Sequence, residues 1–526
     1  MTTHLATAPC TPNLTDSSSN SLFKDPVLLT ILALAFLLRI YVTVTTTYIW
    51  DEVAEWIPAA RAISFAPDAI HIPIRTLHHG ALSAYIIELG AFLAGDNALG
   101  YRLMSVLAGT GTVAIVALIA SAWAGRAAAL WAASFVAFNE YHVMISMLAI
   151  QKASSLFFAA LAAYIFVRAL QENKVSWLLP AAVASALSIL CYEIMYLLIP
   201  ILAISVIFSR RRIWFRNPYL YGAVLLGFVI ILPDLLWNIG ALRPSGYMDY
   251  AGHLKRSGGF GINGYYFLFF FQGLILAIYD FLGRELHVTY GEYVPMNSLL
   301  GLMLFGSTVV WTSQFAFEPA RRKNLVLLFL LTMFWVVFLF FSLMRPGTSP
   351  RLDNWGWVWI DLTLIPAAVF TGALISRLKS WRKVAVIAAS SLGLVYAIIQ
   401  VAVTRFDIPP DEMVLVPHRK NESGSQILEY RAAFNRCAIC KNDPKRKLVD
   451  VWFRNSHGQF VVSALRTGDV VDVGHSPSDF IFRVNVGRLY LIEYEVADWT
   501  GEMTTVKSLS GGFGKKFRAP FWLNSN

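Results

Sequence analysis

Apolar runs of about 20 residues recur along this chain from Pro26 to Val403, and every second one is closed by a short connection that carries basic residues. A bilayer core of about 30 Å demands that length of helix, and inside lipid every backbone N–H and C=O must be bonded within its own segment. A chain patterned this way folds as a polytopic bundle of transmembrane helices, mainly α. Its 526 residues are 56% hydrophobic and only 14% charged, which sets it apart from soluble globular chains.

The formal net charge is +10. Nucleic-acid binding would gather those cations on one soluble face; here they punctuate the apolar runs instead, so no nucleic-acid partner is expected. Arg126, then Arg168 with Lys174, then Arg210, Arg211, Arg212 and Arg216, then Arg321, Arg322 and Lys323, then Arg377, Lys379, Arg382 and Lys383 each fall between hydrophobic segments. By the positive-inside rule these loops are cytoplasmic. Two spans and one outward loop then separate each basic loop from the next. Spans are expected at 26–47, 103–123, 127–143, 154–166, 177–191, 195–208, 220–239, 296–312, 325–343, 355–375 and 384–403. That makes about eleven crossings, with the N-terminus inside and the C-terminus outside. Crossing at 80–95 and 265–282 would put basic loops on alternating sides, so those two stretches are expected to lie as helices at the outer interface. Were both to cross, the count would be about thirteen with the same outward C-terminus.

Three parts follow from the pattern. Residues 1–25, rich in Ser, Thr and Asn and without a cleavage signature, read as a disordered cytoplasmic tail. Residues 26–403 form the membrane domain, whose expected location is the plasma (inner) membrane. Residues 404–526 turn polar and read as a small extracytoplasmic α+β domain: helical over 426–437, then strand-like over 448–453, 459–465, 469–473, 480–486 and 489–496, with turns at Asn455-Ser456-His457-Gly458, Thr467-Gly468 and Thr500-Gly501. Cys437 and Cys440 form a single Cys-x-x-Cys there, suited to a local disulfide; a zinc ribbon would need a second pair. His71, His78, His79 and His142 show no ligand spacing, so neither a metal nor another cofactor is expected.

The outward loops are where chemistry is expected. Tyr48-Ile49-Trp50-Asp51-Glu52-Val53-Ala54-Glu55-Trp56 closes the first span with three acids among aromatics. A helix over 51–64 places Asp51 and Glu55 one turn apart, with Trp56, Ala59, Ala60 and Ile63 as an apolar stripe. The same acids also suit a helix N-terminus, where they complement the dipole. Composition alone leaves both readings open. The 241–264 stretch, with five glycines among Tyr247, Asp249, Tyr250, His253, Lys255 and Arg256, suits either a lid or a flexible linker.

The order of short motifs carries a resemblance. Asp51-Glu52-Val53-Ala54-Glu55, then Ala59-Ala60-Arg61-Ala62, then His78-His79-Gly80-Ala81-Leu82, then Tyr101-Arg102-Leu103 resembles the bacterial branch of the protein O-mannosyltransferase superfamily, which includes the lipid A aminoarabinose transferases. The resemblance implies the GT-C fold and a glycosyltransferase that takes one sugar, a hexose or a pentose, from a polyprenyl phosphate carrier. The implied acceptor is a lipid, glycan or protein on the outer side of the membrane. It implies Asp51 as the catalytic carboxylate with Glu52 beside it, because transfer to a hydroxyl needs a group that takes the acceptor proton while the anomeric carbon gains positive charge. Substrate contacts are expected from Glu55, Arg61, His78, His79, Arg102, Glu140, Lys152, Glu193, Arg345 and Arg351.

Relatives place an acid near the position of Gln151; this chain does not, and Glu140 is the expected substitute. Lys152 suits the carrier phosphate, and equally suits snorkelling at a helix start. Arg351 precedes the span containing Leu364-Ile365-Pro366, as an arginine does in relatives, and its planar guanidinium suits a phosphate. Asp361 follows it within that span and suits pairing with a neighbouring helix. Two readings from other classes compete. A secondary transporter would show internal repeats and paired polar residues at the midplane, whereas here the acids gather at one interface. A membrane receptor with an outer ligand-binding domain would keep binding when Asp51 is neutralised.

Overall fold

The structure, a computed structural model, describes residues 22–45, 52, 56–57, 60, 63, 82–95, 98–209, 212–238, 285–288, 292–295, 298–344 and 360–403, together with eight short strands between Met413 and Val506. Thirteen α-helices dominate the described residues: α1 Pro26–Thr45, α2 Leu82–Ala94, α3 Ala98–Ala124, α4 Arg126–Ala137, α5 Glu140–Met147, α6 Gln151–Glu172, α7 Leu178–Cys191, α8 Leu198–Phe208, α9 Pro218–Asn238, α10 Ser298–Phe317, α11 Leu325–Met344, α12 Ile360–Arg377 and α13 Ser380–Val403. Five of them contain stretches long and apolar enough to cross a membrane: Pro26–Val44, Leu99–Ala124, Gln151–Glu172, Pro218–Leu236 and Leu300–Phe317. Large apolar side chains point outward from several helices, among them Leu34 and Leu37 on α1, Val224, Leu225 and Phe228 on α9, and Val384, Leu392 and Val395 on α13. Water would penalise so much exposed apolar surface; lipid does not.

All five basic loops meet at one end of the bundle. Arg126 pairs with Asp25, joining the start of α1 to the start of α4, and this guanidinium holds the Asp25 carboxyl below its usual range. Trp123, near the end of α3, packs on Trp311 near the end of α10 at 4.7 Å. Phe166 on α6 meets Phe329 on α11 at 4.8 Å. The Trp214 indole donates to Asn173 at 3.1 Å, tying the 209–217 turn to the end of α6. Arg377 and Arg321 both lie on the Trp311 ring.

The expected single span over 127–143 is instead two helices. Between α4 and α5 the chain breaks at Phe138-Asn139: the Asn139 side chain accepts from His142 N at 3.0 Å, the bond that starts a new helix, and Glu140 occupies its first turn. In a continuous helix the Ala137 carbonyl would accept from residue 141; here it accepts from Arg39 Nη1 of α1 at 3.0 Å. A cation thus satisfies the C-terminal end of α4 inside the bundle. Arg39 is thirteen residues along the 20-residue α1, about 20 Å from its start, so the break sits nearer the end opposite the basic loops. Every residue of α5 is buried.

At 13 residues α2 is about 20 Å long, comparable in length to α7 and α8, which stand where spans are expected; the 265–282 stretch lies outside the described residues. Close helix contacts rest on small residues. A side chain at Gly372 of α12 would collide with the Ala128 carbonyl of α4, against a face lined by buried Ala128, Ala129, Ala132 and Ala133.

Beyond the membrane helices, β3 Met413–Lys420, β4 Leu428–Phe434 and β7 Val470–Asp472 form one antiparallel sheet in the order β3-β4-β7. A second sheet has the order β6-β5-β8, from Phe460–Ser463, Val449–Arg454 and Arg483–Asn485, and Tyr494–Ala497 (β9) pairs with Met503–Val506 (β10). A further hairpin, β1 Glu285–Val288 with β2 Glu292–Pro295, precedes α10. The stretch 426–437, expected helical, contains strand β4. Leu428, Tyr430, Ala432 and Phe434 recur at period 2, and pairing along both edges of that alternation overrides the helix preference of Glu429, Arg431 and Ala433.

Candidate functional site

At the end of the bundle opposite the basic loops, buried acids and cations come together on four helices. Residues 52, 56, 60 and 63 share one face at helical spacing, and Glu52, Trp56, Ala60 and Ile63 are all buried. The expected apolar stripe is present at its described positions, and Glu52 lies on the same inward face.

Glu52 is held by three donors. Arg102, near the start of α3, donates through Nε to Oε1 at 2.7 Å and through Nη2 to Oε2 at 2.6 Å, the planar fork that a guanidinium offers a carboxylate. The backbone N–H of Ala149 donates to Oε1 at 2.7 Å. Arg102 Nη1 also donates to the Thr43 carbonyl at the end of α1, at 3.0 Å. Both side chains are fully buried. One ion pair therefore ties α1, α3, the segment after the first span and the 148–150 connection into a single unit. A carboxylate so engaged is fixed in place and has its charge matched.

The 148–150 connection leads directly into Lys152, which is 1% exposed. Its Nζ donates to the Tyr141 hydroxyl of α5 at 3.3 Å and stands 5.7 Å from the centre of that ring. Glu140, next to Tyr141, is buried in the first turn of α5. Gln151 is buried at the start of α6. Ser188 of α7 donates to the Ser155 carbonyl, one turn beyond Lys152, at 2.7 Å. Glu193, buried in the 3-10 turn Glu193–Leu197, follows α7 at this same end.

Several buried polar groups here were not singled out from the sequence. Asp234, buried in α9 beside Pro233, accepts from the Tyr196 hydroxyl at 2.8 Å, and Tyr196 lies three residues from Glu193 in the same 3-10 turn, so the two share a side. Glu88 of α2 is fully buried. Arg39 donates through Nη2 to His142 Nδ1 at 2.7 Å, so the imidazole proton sits on Nε2. An ionisable residue inside an apolar run was the available signal for Arg39, Glu88 and Asp234. The Asn-Glu pair at 139–140 was the signal for the helix break.

Of the residues expected at the site, Glu52, Arg102, Glu140, Lys152 and Glu193 are thus gathered at one end. Asp51, Glu55, Arg61, His71, His78, His79, Arg345 and Arg351 lie outside the described residues, as do the 241–264 loop, the Asp361 side chain and Cys437 with Cys440. Among the described residues no group of three or more His, Cys, Asp or Glu side chains is placed to hold a metal ion.

Comparison with known proteins agrees with this architecture. Residues 78–237 match the family described as dolichyl-phosphate-mannose-protein mannosyltransferase. The crystal structure of ArnT from Cupriavidus metallidurans bound to undecaprenyl phosphate superposes with a TM-score of 0.50 at 16% identity, over 72% of this chain and 69% of that one. The oligosaccharyltransferase of Archaeoglobus fulgidus tethered to an acceptor peptide aligns with a TM-score of 0.47 at 16% identity, over 73% of this chain. The aligned region spans little more than half, 56%, of that archaeal enzyme. None of the curated proteins matches the chain in sequence. At such identity the likeness establishes the fold, which is of the GT-C type.

Proposed function

We propose that this multi-pass membrane protein of GT-C fold, with its mannosyltransferase-family segment over residues 78–237, is a glycosyltransferase that moves one sugar from a polyprenyl phosphate carrier to an acceptor at the outer face of the plasma membrane. The observation that carries the reading is the polarity of the bundle: buried acids with Arg102 and Lys152 at one end, five basic loops at the other. By the positive-inside rule the acid-bearing end faces outward, where a carrier presents its head group. The C-terminal strands follow α13, which starts among the basic loops and leads away from them, so they form an extracytoplasmic domain.

Asp51 takes the proton from the acceptor hydroxyl as its oxygen bonds to the anomeric carbon. The bond from that carbon to the carrier phosphate breaks as the new one forms, with inversion. The departing phosphate is already an anion, so cations suffice to hold it, and Lys152, Arg345 and Arg351 have this role. Arg102 does not, because its guanidinium is committed to Glu52. Glu52 is a positioning residue: clamped by three donors, it holds the adjacent Asp51 in register with α3 and the 148–150 connection. The match of the family segment, the ArnT-like fold and the paired Glu52–Arg102 unit support this assignment.

The test follows a labelled sugar from polyprenyl phosphate to endogenous acceptors in membranes containing the protein. Wild-type protein should transfer label. Asp51→Asn should lose on the order of 10²–10⁴ in rate, the range for removing a general base. Transfer at an undiminished rate by Asp51→Asn would overturn the role of Asp51, and ligand binding without transfer in the wild type would favour a receptor.

A further inference from the structure

At the basic end of the bundle one tryptophan organises two arginines from different connections. Trp311 of α10 is fully buried, and its indole N–H donates to the Phe370 carbonyl of α12 at 3.0 Å. The Arg321 guanidinium, from the turn after α10, lies 5.3 Å from the centre of this ring. That of Arg377, the last residue of α12, lies 4.5 Å from it. Held against the same ring, the two like charges are within roughly one Debye length (~8–10 Å) of each other. Cation–π attraction helps to fix where they sit.

Around them the balance of charge is one-sided. Arg322, Lys323, Lys379 and Lys383 are exposed in the same two connections, and Glu318, 3.1 Å from Arg321, is the acid described among them. The surface that continues from these cations is apolar. Phe317, at the end of α10, is 84% exposed, Val309 and Val310 on the same helix are open, and Val384 stands out from the start of α13. Cations above an outward apolar helix face match an amphiphile with an anionic head and hydrocarbon tails, whereas a nucleic acid or an acidic soluble peptide would leave the apolar part without a complement.

We propose that this end of the bundle, centred on Arg321 and Arg377 against Trp311, is a binding site for the phosphate head group of an anionic membrane lipid. The inference rests on the chain lying in a membrane and is independent of the transferase reading. The full chain is reconstituted in bilayers of equal phosphatidylglycerol and phosphatidylethanolamine, extracted, and its retained lipids counted by native mass spectrometry. Wild-type protein is expected to retain phosphatidylglycerol preferentially. Arg321→Gln with Arg377→Gln should reduce that retention on the order of tenfold or more. Lys323→Gln with Lys379→Gln alters only exposed side chains, should leave the fold intact and should also lower retention, so it decides the matter if the arginine variant does not fold. Absence of preference in the wild type, or wild-type retention in a folded variant, overturns the proposal. Displacement of the lipid by millimolar inorganic phosphate overturns it too, since a tailless anion would then suffice.

Discussion

Arg102 and Glu52 show what a single buried pair can and cannot contribute. Two ions taken out of water lose solvation that their mutual attraction only partly restores, so such a pair adds little net stability, yet removing one partner strands the other. Arg102→Met should therefore destabilise the protein by about 3–5 kcal/mol. Arg102→Lys should recover only part, because an ammonium cannot reproduce the two-pronged contact seen at 2.7 and 2.6 Å. Combining Glu52→Gln with Arg102→Met should cost less than Arg102→Met alone, since no charge is left uncompensated. Thermal unfolding of the three variants in detergent measures the order, and a double variant less stable than Arg102→Met would refute it. From the sequence, Asp51 and Glu52 read as neighbouring acids of one cluster. The fork from Arg102, fifty residues away in the chain, separates them by giving Glu52 a fixed structural engagement.

Helices in this bundle approach through small side chains, and α4 with α12 is the clearest case. Apolar side chains gain nothing by leaving lipid for one another, so packing contacts and close backbone approach hold such pairs together. Gly372→Ala adds a Cβ that collides with the Ala128 carbonyl, and backbone cannot yield as a flexible side chain can. A loss of about 1–3 kcal/mol is expected. Gly306→Ala, on α10, meets nothing within 4 Å and should be neutral or stabilising by up to about 1 kcal/mol, because alanine is the better helix former. Comparing the two unfolding midpoints checks the argument, and equal effects would contradict it. The ends of most helices were legible in hydropathy and in the basic loops. The break between α4 and α5 had only the Asn139-Glu140 pair to mark it, because apolar residues flank it on both sides and the group that satisfies the Ala137 carbonyl comes from α1.

For the whole molecule, the separation of charge along the bundle axis sets the orientation. If the positive-inside reading holds, a cysteine at Lys323 should react with a membrane-impermeant maleimide only after permeabilisation of cells. One at Ser245, in the stretch read as an outward loop, should react in intact cells. The test is made with Cys10, Cys437 and Cys440 replaced by serine, and Cys191 is buried and should contribute little background. Labelling of Lys323→Cys in intact cells would invert the topology and place the acid-bearing end inside.

Hydropathy and the placement of cations are properties of short stretches, so the sequence by itself determined that this is a helical membrane protein, roughly where its helices run, and that its basic loops share one end. The strand alternation between residues 448 and 496 was readable for the same reason, whereas β3, β4 and β10 were not expected. Which buried charge faces which partner depends on helices that are remote in the chain and adjacent in space. Only the tertiary structure decided that Glu52 meets Arg102, that Arg39 meets His142 and the end of α4, and that Arg321 and Arg377 share one indole. In a medium without water a buried polar group must find its partner within the protein, and packing selects that partner.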